Sequence, residues 1–134
     1  MSYLEIQAAL EKKLANVTPS LATAYENIPY TPTVGTPYQR VNLLPNYAAD
    51  RALSADVREF FGLFQVTLFY PAGNGRGLAQ ARADAIDAVF KPVQQLTEGS
   101  TVVEITESAQ VAGGYQDGDR WVVPITIRWR SFAN

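Results

Sequence analysis

Residues 60–70 read FFGLFQVTLFY, and the alternation in this stretch decides the fold. In an extended chain, successive side chains point to opposite faces. Phe60, Phe64, Val66, Leu68 and Tyr70 therefore share one face, with Gly62 between the first two. That face is apolar apart from one hydroxyl and must meet a core. Phe61, Leu63, Gln65, Thr67 and Phe69 share the other face. When helices cover only one side of a sheet, the other side meets water and should be polar. Three large apolar groups there form a patch of the kind that marks an interaction site, unless a neighbouring segment folds back over them.

Moving outward, PAGNGRG at 71–77 is a glycine-rich turn, and Leu78 to about Phe90 has helical periodicity. Leu78, Ala81, Ala85, Ile86 and Val89 form its expected buried stripe; Lys91 suits its last turn and Pro92 stops it. On the other side, residues 46–59 are polar and alanine-rich, with Tyr47 and Leu53 embedded. They read as a long excursion, either an arm or an extension of a hairpin. Tyr38–Leu44 reads as a strand stopped by Pro45. Pro29, Pro32 and Pro37 hold the preceding segment extended, after a short strand near Ala22–Asn27.

At the chain start, residues 2–16 read as an amphipathic helix. Ser2 and Glu5 stand in capping-box spacing, and Tyr3, Ile6, Leu10, Leu14 and Val17 line one face. Toward the other end, Thr101–Thr106 reads as a strand, and Gln110–Tyr115 with Arg120–Arg130 as a hairpin around Asp117-Gly118. The last strand alternates cleanly. Trp121, Val123, Ile125, Ile127 and Trp129 point one way; Arg120, Val122, Pro124, Thr126, Arg128 and Arg130 point the other. Pro124 has no donor for a ladder and favours an edge strand or a bulge. The economical assembly is one α+β domain over 1–134, with a long loop or arm at about 46–59. It is expected to be a two-layer sandwich, its antiparallel-dominated sheet carrying both helices on one face.

Composition excludes much chemistry. The 134 residues contain no histidine and no cysteine, which removes the commonest general base, transition-metal ligand and thiolate nucleophile. Eleven Lys and Arg against thirteen Asp and Glu give a net charge of −2, so there is no strong footprint for duplex DNA. No apolar run reaches the roughly 20 residues that span a bilayer. Met1–Glu5 has no signal-peptide pattern; the protein is expected to act where it is made or to leave inside something larger.

The remaining motifs are weak carriers of chemistry. Gly73, Gly75 and Gly77 sit between a strand and a helix, but Leu78 occupies the last glycine position of a dinucleotide fingerprint, and no Gly-Lys-Ser/Thr follows. A flexible connection is the plain reading; a nucleotide-binding enzyme using this turn is the rival. Asp84 with Asp87 and Glu104 with Glu107 lack a third placed ligand. Asp117-Gly118-Asp119 lacks a calcium-loop pattern and reads as a turn. No catalytic, cofactor-binding or metal-binding residue is therefore assigned. Arg120, Arg128 and Arg130 make a positive stripe on the outer face of the last strand. It is either an ordinary solvated face or a docking surface for a protein partner, with weak DNA contact a further option.

The succession SYLEIQAALEKKL, AYENIPYTPTVGTPYQRVNLLP, FQVTLFYPAGNGRGLAQARADAI and WVVPITIRWRSF resembles the phage tail-terminator family, in particular the lambda-like minor tail protein U group. The resemblance spans nearly the whole chain. It implies a structural virion protein of a long-tailed phage (a siphophage) and no enzyme. Such a protein forms a ring, typically a hexamer, that caps the tail tube, ends its polymerisation and presents the surface for head-to-tail joining. The implied partners are copies of itself, the tail tube protein and a head-side connector, with DNA only passing through the lumen and no membrane. The implied location is the head-proximal end of the tail, after synthesis in the bacterial cytoplasm. On this reading Phe61, Leu63 and Phe69, with Tyr47 and Leu53 of the 46–59 segment, are candidate interface residues. Arg120, Arg128 and Arg130 are candidates for docking a partner. A head-completion, neck or other minor tail protein is the nearest alternative, and a monomeric binding module a more distant one.

Overall fold

The apolar face of the 60–70 stretch lies at the centre of a curled, mixed sheet of eight strands, accompanied by two helices. The structure is a computed structural model and describes residues 3–50 and 58–133. Its elements run α1 (Tyr3–Ala15), β1 (Ala22–Ala24), β2 (Tyr38–Asp50), β3 (Arg58–Pro71), α2 (Gly77–Val89), β4 (Gln95–Glu98), β5 (Thr101–Ile105), β6 (Gln110–Val111), β7 (Tyr115–Asp117) and β8 (Arg120–Ala133). The strand order is β1-β2-β3-β8-β5-β4, and β6 and β7 also pair with β8.

The α+β class and the two helices are as expected. The sheet, however, is mixed, because β1 and β2 pair in parallel. The proline-punctuated segment 25–37 carries the chain from the end of β1 back to the start of β2, so both strands run the same way. The other pairings are antiparallel.

Phe64, Val66 and Leu68 of β3 are fully buried beside Ile125, Ile127 and Trp129 of β8. Ile6, Leu10 and Leu14 of α1 and Ala83, Ile86 and Phe90 of α2 and its end complete the same core. The side chains assigned to the inner faces of β3 and β8 are thus the ones that meet the helices.

Three expectations are corrected. The buried stripe of α2 is Ala79, Arg82, Ala83 and Ile86, followed by Phe90; of the expected stripe Ile86 is buried and Ala85 and Val89 pack partly buried against the core, while Leu78 (68% exposed) and Ala81 face outward. In so alanine-rich a helix two adjacent stripes fit the period, and the buried one includes an arginine.

Pro45 does not end β2, which runs on to Asp50 with a register shift between Pro45 and Tyr47. Leu43 donates its amide outward, away from β3, to the Glu26 carboxylate at 2.5 Å. Two residues on, Pro45 turns its nitrogen the same way, so the ladder to β3 loses nothing. The open edge of β2 is blunted by a carboxylate at one position and a missing donor at the next.

Pro124, for its part, does not lie on an edge, since β8 is flanked on both sides. It stands between the residues paired with β6 and those paired with β7, where residues 112–114 leave the ladder. No acceptor there calls for a proline donor, while Ala112 still donates to the Pro124 carbonyl at 2.9 Å.

The 46–59 segment begins as paired strand, with Asp50 opposite Arg58. Residues 51–57, including Leu53, lie outside the described residues.

Candidate assembly surface

The sheet's outer face is built of rows that cross neighbouring strands. Leu44, Leu63 and Arg128 form one row over β2, β3 and β8. Phe61 and Arg130 begin the next, and Glu104 of β5 extends it. Next to the register shift in β2, the first row and Phe61 line a groove of about 390 Å³. Leu44, Phe61 and Leu63 supply its apolar wall; Asn46, Thr106 and Arg128 supply polar rims. Leu44 is 43% exposed, and Phe61 and Leu63 are half-buried.

Gly62 makes this geometry possible. A Cβ at that position would fall inside contact distance of the Leu44 carbonyl oxygen and 2.9 Å from the Pro45 Cα, both of them backbone. Only glycine allows β2 so near.

Phe69, the third member of the expected patch, is covered by the chain itself. Its ring stacks on that of Tyr38 across the strand pair, with centroids 4.6 Å apart and planes 5° apart. The Arg40 guanidinium sits 5.0 Å from the ring centre, which leaves Phe69 only 7% exposed. Of the other interface candidates, Tyr47 is described by its backbone pairing with Phe61.

The three arginines part company in the same way. Arg120 is buried and donates to the carbonyls of Thr33 and Thr36, with its guanidinium 5.1 Å from the Tyr38 ring centre. It clamps the 25–37 segment against the sheet. Arg130 pairs with Glu104 at 2.8 Å. Arg128 lies 3.6 Å from Glu107 with both side chains well exposed, an arrangement that contributes little and exchanges readily.

Among the described residues, no three or more acidic or metal-ligating side chains converge on one point. Asp84 and Asp87 stand exposed on α2. The glycine-rich turn is exposed and is tied to the β7–β8 hairpin by the Ala72 amide, which donates to the Asp119 carbonyl at 2.9 Å.

The model of the phage tail terminator protein family matches residues 5–129. This chain belongs to the phage tail terminator family. It is therefore a structural component of a phage tail, and the resemblance carried by the sequence motifs holds. One solved structure superposes with a TM-score of 0.80 over 98% of this chain and 96% of its own, at 27% sequence identity. The search among curated proteins found no match.

In this chain, sequence reasoning picked out Phe61, Leu63 and Arg128 of the groove but missed Leu44, Asn46 and Thr106. Leu44 stood in a stretch read as an ordinary strand ending at Pro45. The available signal was the pair of adjacent leucines, Leu43 and Leu44, one of which must face outward in any strand.

Proposed function

We propose that the protein forms a closed ring, probed first as a hexamer, that caps the head-proximal end of the tail tube of a long-tailed phage. The ring ends tube polymerisation and presents the surface on which the head-side connector joins, while DNA passes through its lumen. The protein is made in the host cytoplasm and leaves in the virion. The observation that carries this reading, beside family membership, is the half-exposed apolar groove on the outer face of the sheet. Association that buries Leu44, Phe61 and Leu63 removes from water a patch that a monomer would leave wetted. Head-to-tail contacts close into a ring when their rotation closes. A ring face that lacks the surface needed by the next tube subunit then stops growth, with no reactive group involved. Tyr47 and Leu53 would extend the contact, and Arg128 and Arg130 would lie at its charged margin.

The test is to mix the purified protein with tail tubes and image them by negative stain. A cap at one end of each tube is the expected result. Tubes bare at both ends, or coated along their length, would defeat the reading.

A further inference from the structure

We propose that the assembly contact extends past the outer groove to Val93, which a neighbouring copy covers in the ring. This rests on the ring reading and adds to it a second anchor. The observation behind it is a strained backbone that the fold does not need. Val93 has φ +61°, in the left-handed region where a side chain crowds the following carbonyl and a β-branched one is a true outlier. Its amide donates to the Ile105 carbonyl at 2.7 Å, and the Ile105 amide donates to the Gln94 carbonyl at 2.9 Å. Two residues on one side thus face one on the other. This is the pattern of a β-bulge whose first position glycine normally takes. Valine gains no burial there, since Val93 is 76% exposed. Glycine or asparagine would close the same bulge with less strain. A branched apolar side chain held out to water on a strained backbone marks a contact made with another molecule.

The bulge places Val93 at the end of the groove's own row. Thr106, which follows Ile105, lines the groove and donates its amide to the Arg128 carbonyl at 3.1 Å. The row therefore runs Leu44, Leu63, Arg128, Thr106 and then Val93. Four strand spacings separate its ends, roughly 19 Å. It is apolar at both ends and polar between them. In the polar seam Arg128 lies beside Glu107 and Arg130 beside Glu104, so each cation is matched by an anion. Such a surface holds no excess charge to draw a strongly acidic or basic partner. It fits the weakly charged surface of another copy, whose 134 residues carry a net charge of −2.

The experiment uses Val93→Gly, Val93→Asn and Val93→Ile in the full chain, with Leu63→Glu as the reference for the groove. Each is read twice, by the melting temperature of the dilute protein and by sedimentation velocity over a hundredfold range of concentration. Val93→Gly and Val93→Asn relieve the strain and should melt about 3–5 °C above the parent, yet associate at least tenfold more weakly. Val93→Ile keeps both the branch and the apolar group and should match the parent in both readings. Opposite signs from one substitution separate an assembly residue from an ordinary loop residue. A Val93→Asn chain that assembles like the parent, while Leu63→Glu does not, overturns the proposal and leaves the ring standing. Failure of both relieved variants to melt above the parent overturns it as well, because the valine would then serve the fold. A parent chain that stays monomeric throughout, with or without tubes, overturns both the proposal and the ring.

Discussion

Arg82 shows how much a single side chain is asked to do. Only 5% of it is exposed, and its two terminal nitrogens donate to the Pro19 carbonyl and to the Gln39 side-chain oxygen, the latter at 3.1 Å. Its Nε has no partner among the described residues, and burial lowers its pKa, with Tyr70 opposing. The guanidinium fork spans two acceptors that a lysine ammonium cannot reach together. Arg82→Lys should therefore cost about 2 kcal/mol, read as a lower urea midpoint with an unchanged slope. Glu11, on the neighbouring helix, tests the opposite sign. Burial raises its pKa above the ordinary 4.5; a hydrogen bond from Gln7 works against this and the Glu26 carboxylate adds to it. A carboxyl with a raised folded pKa contributes stability that is present below its unfolded value and is lost as pH rises through the folded one. Glu11→Gln stays neutral throughout, so it should melt higher than the parent at pH 7. The gain should vanish below about pH 4; an equal gain at both pH values would assign it to packing instead.

At the scale of elements, β3 divides its duties between two faces, and substitutions should separate them. Gly62→Ala forces β2 and β3 apart where backbone meets backbone, and should cost about 2–3 kcal/mol by chemical denaturation. Phe61→Glu and Leu63→Glu lie on the outer face and should leave the melting of the dilute protein nearly unchanged while weakening self-association. Global unfolding in both would place them in the core. The inner faces of β3 and β8 were legible in the sequence because period-two alternation in FFGLFQVTLFY and WVVPITIRW is dense and unbroken. The stripe of α1 was legible for the equivalent reason at steps of three and four. What the sequence hid was set by partners distant along the chain. Phe69 reads as exposed until Tyr38 and Arg40 are seen to cover it. Arg120 reads as a free cation until the Thr33 and Thr36 carbonyls arrive. Arg82 falls outside the stripe expected for α2, because a charge on an alanine-rich helix gives no local sign of burial. The groove itself depends on a register shift at Pro45, and no periodicity announces that.

For the whole molecule, the proposed ring would couple assembly to folding, and the coupling would have a measurable signature. Assembly binds the folded chain and not the unfolded one, so it must raise apparent stability by mass action. In a concentration range where rings dominate, each tenfold increase in protein adds slightly more than 1 kcal/mol per subunit, since a tenfold change in an equilibrium is worth about 1.4 kcal/mol and is shared among the copies. For a domain of this size that corresponds to roughly 3–5 °C in melting temperature. The melting temperature of the parent chain should therefore climb with concentration above the point where sedimentation first detects large particles, and should be flat below it. Leu63→Glu should stay flat across the same range and join the parent's curve at the dilute end, because its outer-face position touches assembly and not the fold. Calorimetry at four concentrations decides the matter. A parallel rise in both proteins would mean that the groove is not where the copies meet, and a flat line in both would mean that folding and assembly are not linked through this face at all.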